Sequence, residues 1–291
     1  MASSSAASAA TKYISKLHNQ RVLVVGGTSG IGFCVASALL EHGAARVCIS
    51  GSKPAKLEHA LARLRTSYPD KSARIFGSVC DLSQPQHLEA RVQQLLAYAA
   101  TTEAGGKVDG EVDGDEAEGN DNKKIDHIAV TAGDGIKITP IAEVTVEEVL
   151  RLGNVRFLGA LMLAKHAPRY MAPGPRSSIT LTGGTMTHKP KKNWTVIAGW
   201  SGAMEGIARG LAVDLAPIRV NLVSPGAVHT ELFDDIPKDN LDGVLRGFRD
   251  DSLIDRVGTP QNLAEAYLYM MKNEFTTGTI LPSDGGRLVK P

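Results

Sequence analysis

Cysteine is scarce in this chain. Cys34, Cys48 and Cys80 are three in 291 residues, show no C-x-x-C spacing and lie in apolar surroundings, so neither a disulfide framework nor a metal site is expected. They read as small core residues of a reduced, intracellular protein. A charge excess is missing as well. The balance of 32 basic and 31 acidic residues, net +1, leaves no electrostatic footprint for nucleic acid or an anionic membrane. No apolar run is long enough to cross a bilayer. Met1 to Lys12, mostly Ala and Ser, lacks the apolar core of a signal peptide and the basic character of a transit peptide, and Leu288-Val289-Lys290-Pro291 is not a peroxisomal signal. The expectations are a disordered tail over 1–12 and a cytoplasmic address. What is present, 43% hydrophobic and 22% charged residues, suits one α/β domain over 13–291.

Val22-Leu23-Val24-Val25 runs into Gly26-Gly27-Thr28-Ser29-Gly30-Ile31-Gly32, and Phe33 to Leu40 then shows helical spacing. Glycines at a strand-to-helix turn let a pyrophosphate approach the backbone, where the N–H groups and positive dipole end of the helix meet its charge. This stretch predicts a dinucleotide site. The second strand, Arg46 to Ser50, ends in Gly51-Ser52-Lys53 without the carboxylate that an NAD ribose requires. Ser52 and Lys53 suit a 2′-phosphate instead, so NADP(H) is the expected cofactor.

Strands are further expected at Arg74–Val79, Ile125–Val130, Ser178–Thr182, Arg219–Val223 and near Thr279–Pro282. Helices are expected at Pro54–Ser67, Gln84–Ala99, Val144–Ala164, within Trp194–Leu215 and at Gln261–Met271. Their alternation predicts a doubly wound parallel sheet, a Rossmann fold with its ligands at the carboxyl ends of the strands. Thr101 to Lys124, rich in Gly, Asp, Glu and Asn, reads as a disordered acidic insertion. Its faint echo of a calcium loop from Asp109 places Asn120 where a bidentate Glu belongs, so no metal is expected. Glu231 to Val257 reads as a mobile stretch.

The chain resembles the short-chain dehydrogenase/reductase family from Arg21 to Arg287. The glycine turn matches T-G-x-x-x-G-x-G with Val25 in place of Thr, Asp81-Leu82 matches the adenine-side Asp, and Thr131-Ala132-Gly133 matches N-A-G. Pro225-Gly226-Ala227-Val228-His229-Thr230 matches P-G-x-V-x-T, which in the family holds the nicotinamide carboxamide and a phosphate, and Asp284-Gly285-Gly286 resembles D-G-G. The family's chemistry uses Asn, Ser, Tyr and Lys. Here Asn154 remains, the Ser position falls on Gly183 or Gly184, and Ile197 and Ser201 stand at the Tyr and Lys positions. Neither supplies a proton or a cation. Ile197-Ala198-Gly199-Trp200 is also similar to the Pro-Asp-Pro-Gly-Trp region of fungal reductase/Diels-Alderases of indole alkaloid pathways, with Ile197 in place of their Asp.

An iminium ion, unlike a carbonyl, needs no proton donor when it receives a hydride. The leading expectation is an NADPH-dependent reductase of an iminium or similarly activated secondary-metabolite intermediate, bulky and polycyclic. The alternatives are a redox-neutral cyclase or isomerase that works by positioning its substrate, and a catalytically silent NADP(H) binder. Asp134, at a strand's carboxyl end, suits an iminium charge or a helix cap, and His188 lies in the loop after strand five. Thr182 and Thr185 flank the missing Ser, Trp194 and Trp200 suit substrate walls or core packing, and Lys189, Lys191 and Lys192 read as a solvated cluster. The small-residue face of the Trp194 to Leu215 segment resembles the family's pairing helix, which implies a homodimer or homotetramer.

Overall fold

The computed structural model describes residues 12–101, 124–135, 137–231 and 238–291, with side chains from 241 in the last segment. Of the tail expected over 1–12, residues 1–11, and of the acidic insertion expected over 101–124, residues 102–123 with the calcium-loop echo, lie outside the described residues. Seven parallel strands run in the order β3-β2-β1-β4-β5-β6-β7. They are β1 (Arg21–Val25), β2 (Arg46–Gly51), β3 (Ile75–Val79), β4 (His127–Val130), β5 (Ser178–Thr182), β6 (Arg219–Pro225) and β7 (Ile280–Ser283). All six pairings are parallel, so the expected doubly wound Rossmann sheet is what forms. Strand order reverses between β1 and β4, and the crevice above that point is where such sheets bind ligands.

Helices cover both faces. On one, α1 (Gly30–Glu41), α2 (Pro54–Ser67) and α8 (Pro260–Lys272) bury Leu39, Leu61 and Leu268 with the alternate residues Val22 and Val24 of β1. On the other, α3 (Pro85–Ala100), α5 (Ala160–His166) and α6 (Thr195–Asp214) bury Leu96, Leu163 and Met204 with Leu23 and Val25. A central strand that is apolar at every position after Arg21 thus feeds two cores.

The helix expected over Val144–Ala164 is interrupted. It forms as α4 (Val146–Leu152), a π-helical turn at Asn154–Gly159, and α5. Thr145 starts α4, its hydroxyl accepting the Glu148 N–H. Gly153 lies at the break, where a Cβ would stand 2.4 Å from Trp200 Cζ2 of α6. Close helix approach and the π turn therefore coincide, and such turns cluster at functional sites. Of the stretch Glu231–Val257 expected to be mobile, residues 232–237 lie outside the described residues and Lys238–Asp250 form the helix α7. Leu241, Val244, Leu245 and Phe248 recur on it at helical spacing and are half-buried.

Candidate cofactor and substrate cleft

The glycine turn is held by contacts that only glycine permits. Gly26 has φ +89°, and a Cβ there would lie 2.4 Å from the Ala132 nitrogen. At Gly32 it would lie 2.3 Å from the Gly26 carbonyl oxygen and 2.4 Å from Thr131 Oγ1. Ser29 ends the turn in an extended conformation without capping α1 through its side chain, and Gly30 and Ile31 open the helix. The opening N–H groups of α1 are thereby left for an external anion. Across the turn stands Thr230, whose Cγ2 would be 3.2 Å from a Cβ on Gly30. Gly226 is drawn against Asp284 (2.7 Å from its would-be Cβ to Asp284 Cα), and Val228 bridges to Gly258. Two loops thus face each other over one helix N-terminus, as the motifs require for a pyrophosphate.

At the other end of the cradle, Gly51 packs on Thr28, with 2.6 Å from a Cβ to Thr28 Cγ2. Ser52 and Lys53 are exposed, and no carboxylate ends β2. Asp81 accepts the Ser83 N–H at 2.9 Å and pairs with Arg91 at 3.5 Å. Burial works against its charge, but these partners hold its carboxyl below the usual value. Leu82 turns its side chain into the core. Ala132 donates its N–H to the Val25 carbonyl at 2.9 Å, fixing the Thr131-Ala132-Gly133 corner beside the glycine turn. A tight glycine cradle, open helix N–H groups and a carboxylate-free β2 end together fit a phosphorylated dinucleotide.

Beside the cradle opens a cleft of about 1170 Å³, its mouth included. Ile31, Pro225, Gly226, Val228 and Thr230 line it from the cofactor side, and Leu152, Met186, Trp194, Ile197, Trp200 and Phe248 make an apolar wall. Ile197 and Ser201, at the family's Tyr and Lys positions, both face it. Trp200 serves packing and wall together, since its indole N–H donates to the Val149 carbonyl (2.9 Å) while its ring leans on Phe157, centroids 5.2 Å apart.

Two predicted catalytic residues are not on the cleft. The Asn154 amide donates to the Ser83 carbonyl at 3.2 Å, bracing the π turn against the β3–α3 connection. His188 leaves the cleft because the short turn Thr185–Thr187 carries it over α6, where Nε2 meets the buried Glu205 carboxylate at 2.8 Å. Thr182 donates to the Val130 carbonyl at 2.6 Å and shares a hydrogen bond with Tyr267, whose phenol burial pushes up to about 12. The lysine cluster is also corrected in part. Lys191 pairs with Asp251, and Lys189 donates to the carbonyls of Arg287 and Lys290.

Asp134 does line the cleft, and beside it stands a residue the motifs do not reveal, Arg156. Asp134 caps the π turn, accepting the Val155 and Arg156 N–H groups at 3.4 and 3.2 Å. Burial raises its carboxyl, with those N–H groups and the Arg156 charge opposing. The Arg156 guanidinium lies on Gly133, where a Cβ would be 2.2 Å from Nη2, and donates to the Gly183 carbonyl at 3.2 Å. Burial lowers its pKa while Asp134 raises it, and arginine stays charged. A cation therefore sits between the N-A-G corner and the vacant Ser position. The one sequence signal for it is an arginine alone in the apolar run Val155–Ala164.

The SDR-like Rossmann domain signature matches residues 13–112 and 116–290. Short-chain dehydrogenase/reductase malC of Malbranchea aurantiaca is 41% identical over 276 residues, 94% of this chain and 96% of that one. Short-chain dehydrogenase/reductase ucsE of an Acremonium species is 39% identical over 282 residues, 96% and 99% of the two chains. The solved MalC Reductase/Diels-Alderase superposes with a TM-score of 0.83 at 41% identity, over 96% of this chain and all of that one. A small-chain dehydrogenase in complex with NADPH is similar at 27% identity, TM-score 0.70, over 94% and 100% of the two chains. With the cradle, the motifs and these relatives in agreement, the chain belongs to the short-chain dehydrogenase/reductase family, as a member without its Ser, Tyr and Lys.

Proposed function

We propose that the protein is an NADPH-dependent reductase of an iminium or similarly activated secondary-metabolite intermediate. The observation that carries this reading is the pairing of a complete cofactor cradle with a cleft whose Tyr position is Ile197. When bound, NADPH supplies a hydride. Gly26, Gly30, Gly32 and Thr230 hold its pyrophosphate, Ser52 and Lys53 its 2′-phosphate, and Pro225, Gly226 and Val228 its nicotinamide end. Removing a positioned acid costs carbonyl reduction about a hundredfold to ten-thousandfold. An iminium escapes that penalty, because the C=N electrons come to rest on nitrogen as the new C–H bond forms.

Arg156 has no proton to give at neutral pH, and its role is to hold an acceptor oxygen of the substrate. Asp134 offsets its charge, which keeps the floor of the cleft tolerant of a cationic substrate. The walls of Trp194, Trp200 and Ile197 suit a bulky polycyclic body. Support comes also from the relatives, one of which bears the name reductase/Diels-Alderase. That name and the aromatic walls favour a second reading, cyclisation by positioning alone. On α6, Gly199, Gly206 and Gly210 have nothing within 4 Å of a Cβ, which supports pairing of this helix in a homodimer or homotetramer.

The deciding experiment is a calorimetric titration with NADPH and NADH, followed by a screen of iminium substrates for NADPH consumption. Tight NADPH binding with turnover is expected. Cyclised product without NADPH consumption would replace the reductase reading by the second one, and absence of nucleotide binding would sink it.

A further inference from the structure

Helix α7 borders the cleft through Phe248, and one ionic cluster fastens the end of that helix. Asp251, directly after α7, pairs with Lys191 of the β5–α6 loop, and its Oδ2 lies 3.7 Å from Nε of the buried Arg287. Arg287 donates from Nη1 to the Thr185 carbonyl at 3.3 Å and from Nη2 to the Lys189 carbonyl. The next residues are tied down too, with Leu253 N–H and Ser252 Oγ both donating to the Gly285 carbonyl at 2.9 and 3.0 Å. Lys191 Nζ also stands 4.8 Å from the centroid of the Phe248 ring, and Phe248 is a wall of the cleft. One cation therefore holds both the end of α7 and the aromatic ring that α7 presents to substrate.

We propose that Asp251, through Lys191 and Arg287, is a positioning residue that sets Phe248 as the outer wall of the cleft, so that this cluster governs which flat apolar substrates are held. The inference is independent of the redox reading, because it concerns the shape of the cleft and not the cofactor. Buried or half-buried ion pairs contribute little net stability yet fix geometry, which is the role assigned here.

The probe is 8-anilinonaphthalene-1-sulfonate, followed by energy transfer from Trp194 and Trp200, the chain's two tryptophans, both on the cleft. Phe248→Ala is expected to weaken dye binding about tenfold and Asp251→Asn about fivefold. The double variant should be no weaker than Phe248→Ala, since the two residues act as one unit. Asp251→Glu should restore most of the affinity. NADPH affinity, measured separately, should stay within about twofold throughout. Additive losses, an unaffected Asp251→Asn, or NADPH affinity falling in step with the dye would overturn the proposal. If Asp251→Asn fails to fold, Lys191→Met is expected to weaken the dye to the same degree, and unchanged dye affinity in that variant would overturn the proposal equally. A wild-type chain that binds dye but no NADPH would count against the reductase reading while leaving the Asp251 and Phe248 comparison intact.

Discussion

The candidate cofactor cradle and the candidate catalytic corner lie side by side at the carboxyl ends of β1, β4 and β5, yet sequence has treated them in opposite ways. In the cradle, two glycines are forced by backbone contacts, Gly26 against Ala132 and Gly32 against the Gly26 carbonyl. In the corner, the Ser, Tyr and Lys positions hold Gly183 or Gly184, Ile197 and Ser201, and a guanidinium from a neighbouring element fills the space between Gly133 and Gly183. Geometry constrains the cradle. Packing constrains the corner at Gly183 but not at Gly184, and the proposed change of substrate class would allow Gly184, Ile197 and Ser201 in place of the family's Ser, Tyr and Lys.

The largest effect should come from breaking the cradle. Gly26→Ala forces a Cβ into the Ala132 nitrogen at φ +89°, and a cost of about 3 kcal/mol or more is expected, from strain and displacement of the Thr131-Ala132-Gly133 corner together. Thermal unfolding and NADPH titration check it, and a variant that melts and binds like wild type would show that the cradle is not the rigid half.

Arg156→Met tests the corner. It should leave NADPH binding nearly intact and lower turnover about a hundredfold, the scale of losing one preorganised donor. The same site makes a pH prediction. Burial raises the Asp134 carboxyl, so as pH falls its charge is lost earlier than that of an ordinary aspartate. The rate should therefore decline on an acid limb displaced to higher pH, and Asp134→Asn should abolish that limb. A limb that survives in this variant would remove Asp134 from the site.

Lys53→Ala is a smaller perturbation at the cradle's exposed end. It should weaken NADPH about tenfold and leave NADH unchanged, because only the 2′-phosphate meets that charge. Equal losses for both nucleotides would place Lys53 elsewhere on the cofactor.

What was legible in the chain follows the same division. Strand and helix periods, the glycine turn and the Pro225 to Thr230 loop were readable because each encodes backbone geometry in short spacing. Arg156 was not, since its meaning depends on the π turn that aims it at Gly133 and Gly183. His188 fits a catalytic loop by position, but the turn before it hands the ring to Glu205, a partner 17 residues away. Lys191 resembles any surface lysine until α7 brings Asp251 to it, and α7 itself lies in a stretch whose Asp and Gly content hides its apolar spacing. Long-range pairing, not local propensity, decided these positions.

The finest test separates two adjacent glycines. A side chain at Gly183 would place its Cβ 2.7 Å from Leu222 Cδ2, whereas at Gly184 the nearest atom is Ser201 Oγ at 3.5 Å. Gly183→Ser should cost about 1–3 kcal/mol as overpacking, and Gly184→Ser less than about 0.5 kcal/mol. The vacant Ser position is then Gly184, since it has room for the hydroxyl the family places there. Equal melting temperatures for the two variants would contradict this assignment. If Gly184→Ser alone is tolerated, the corner lacks its serine without any packing demand, as the proposed iminium substrate would allow.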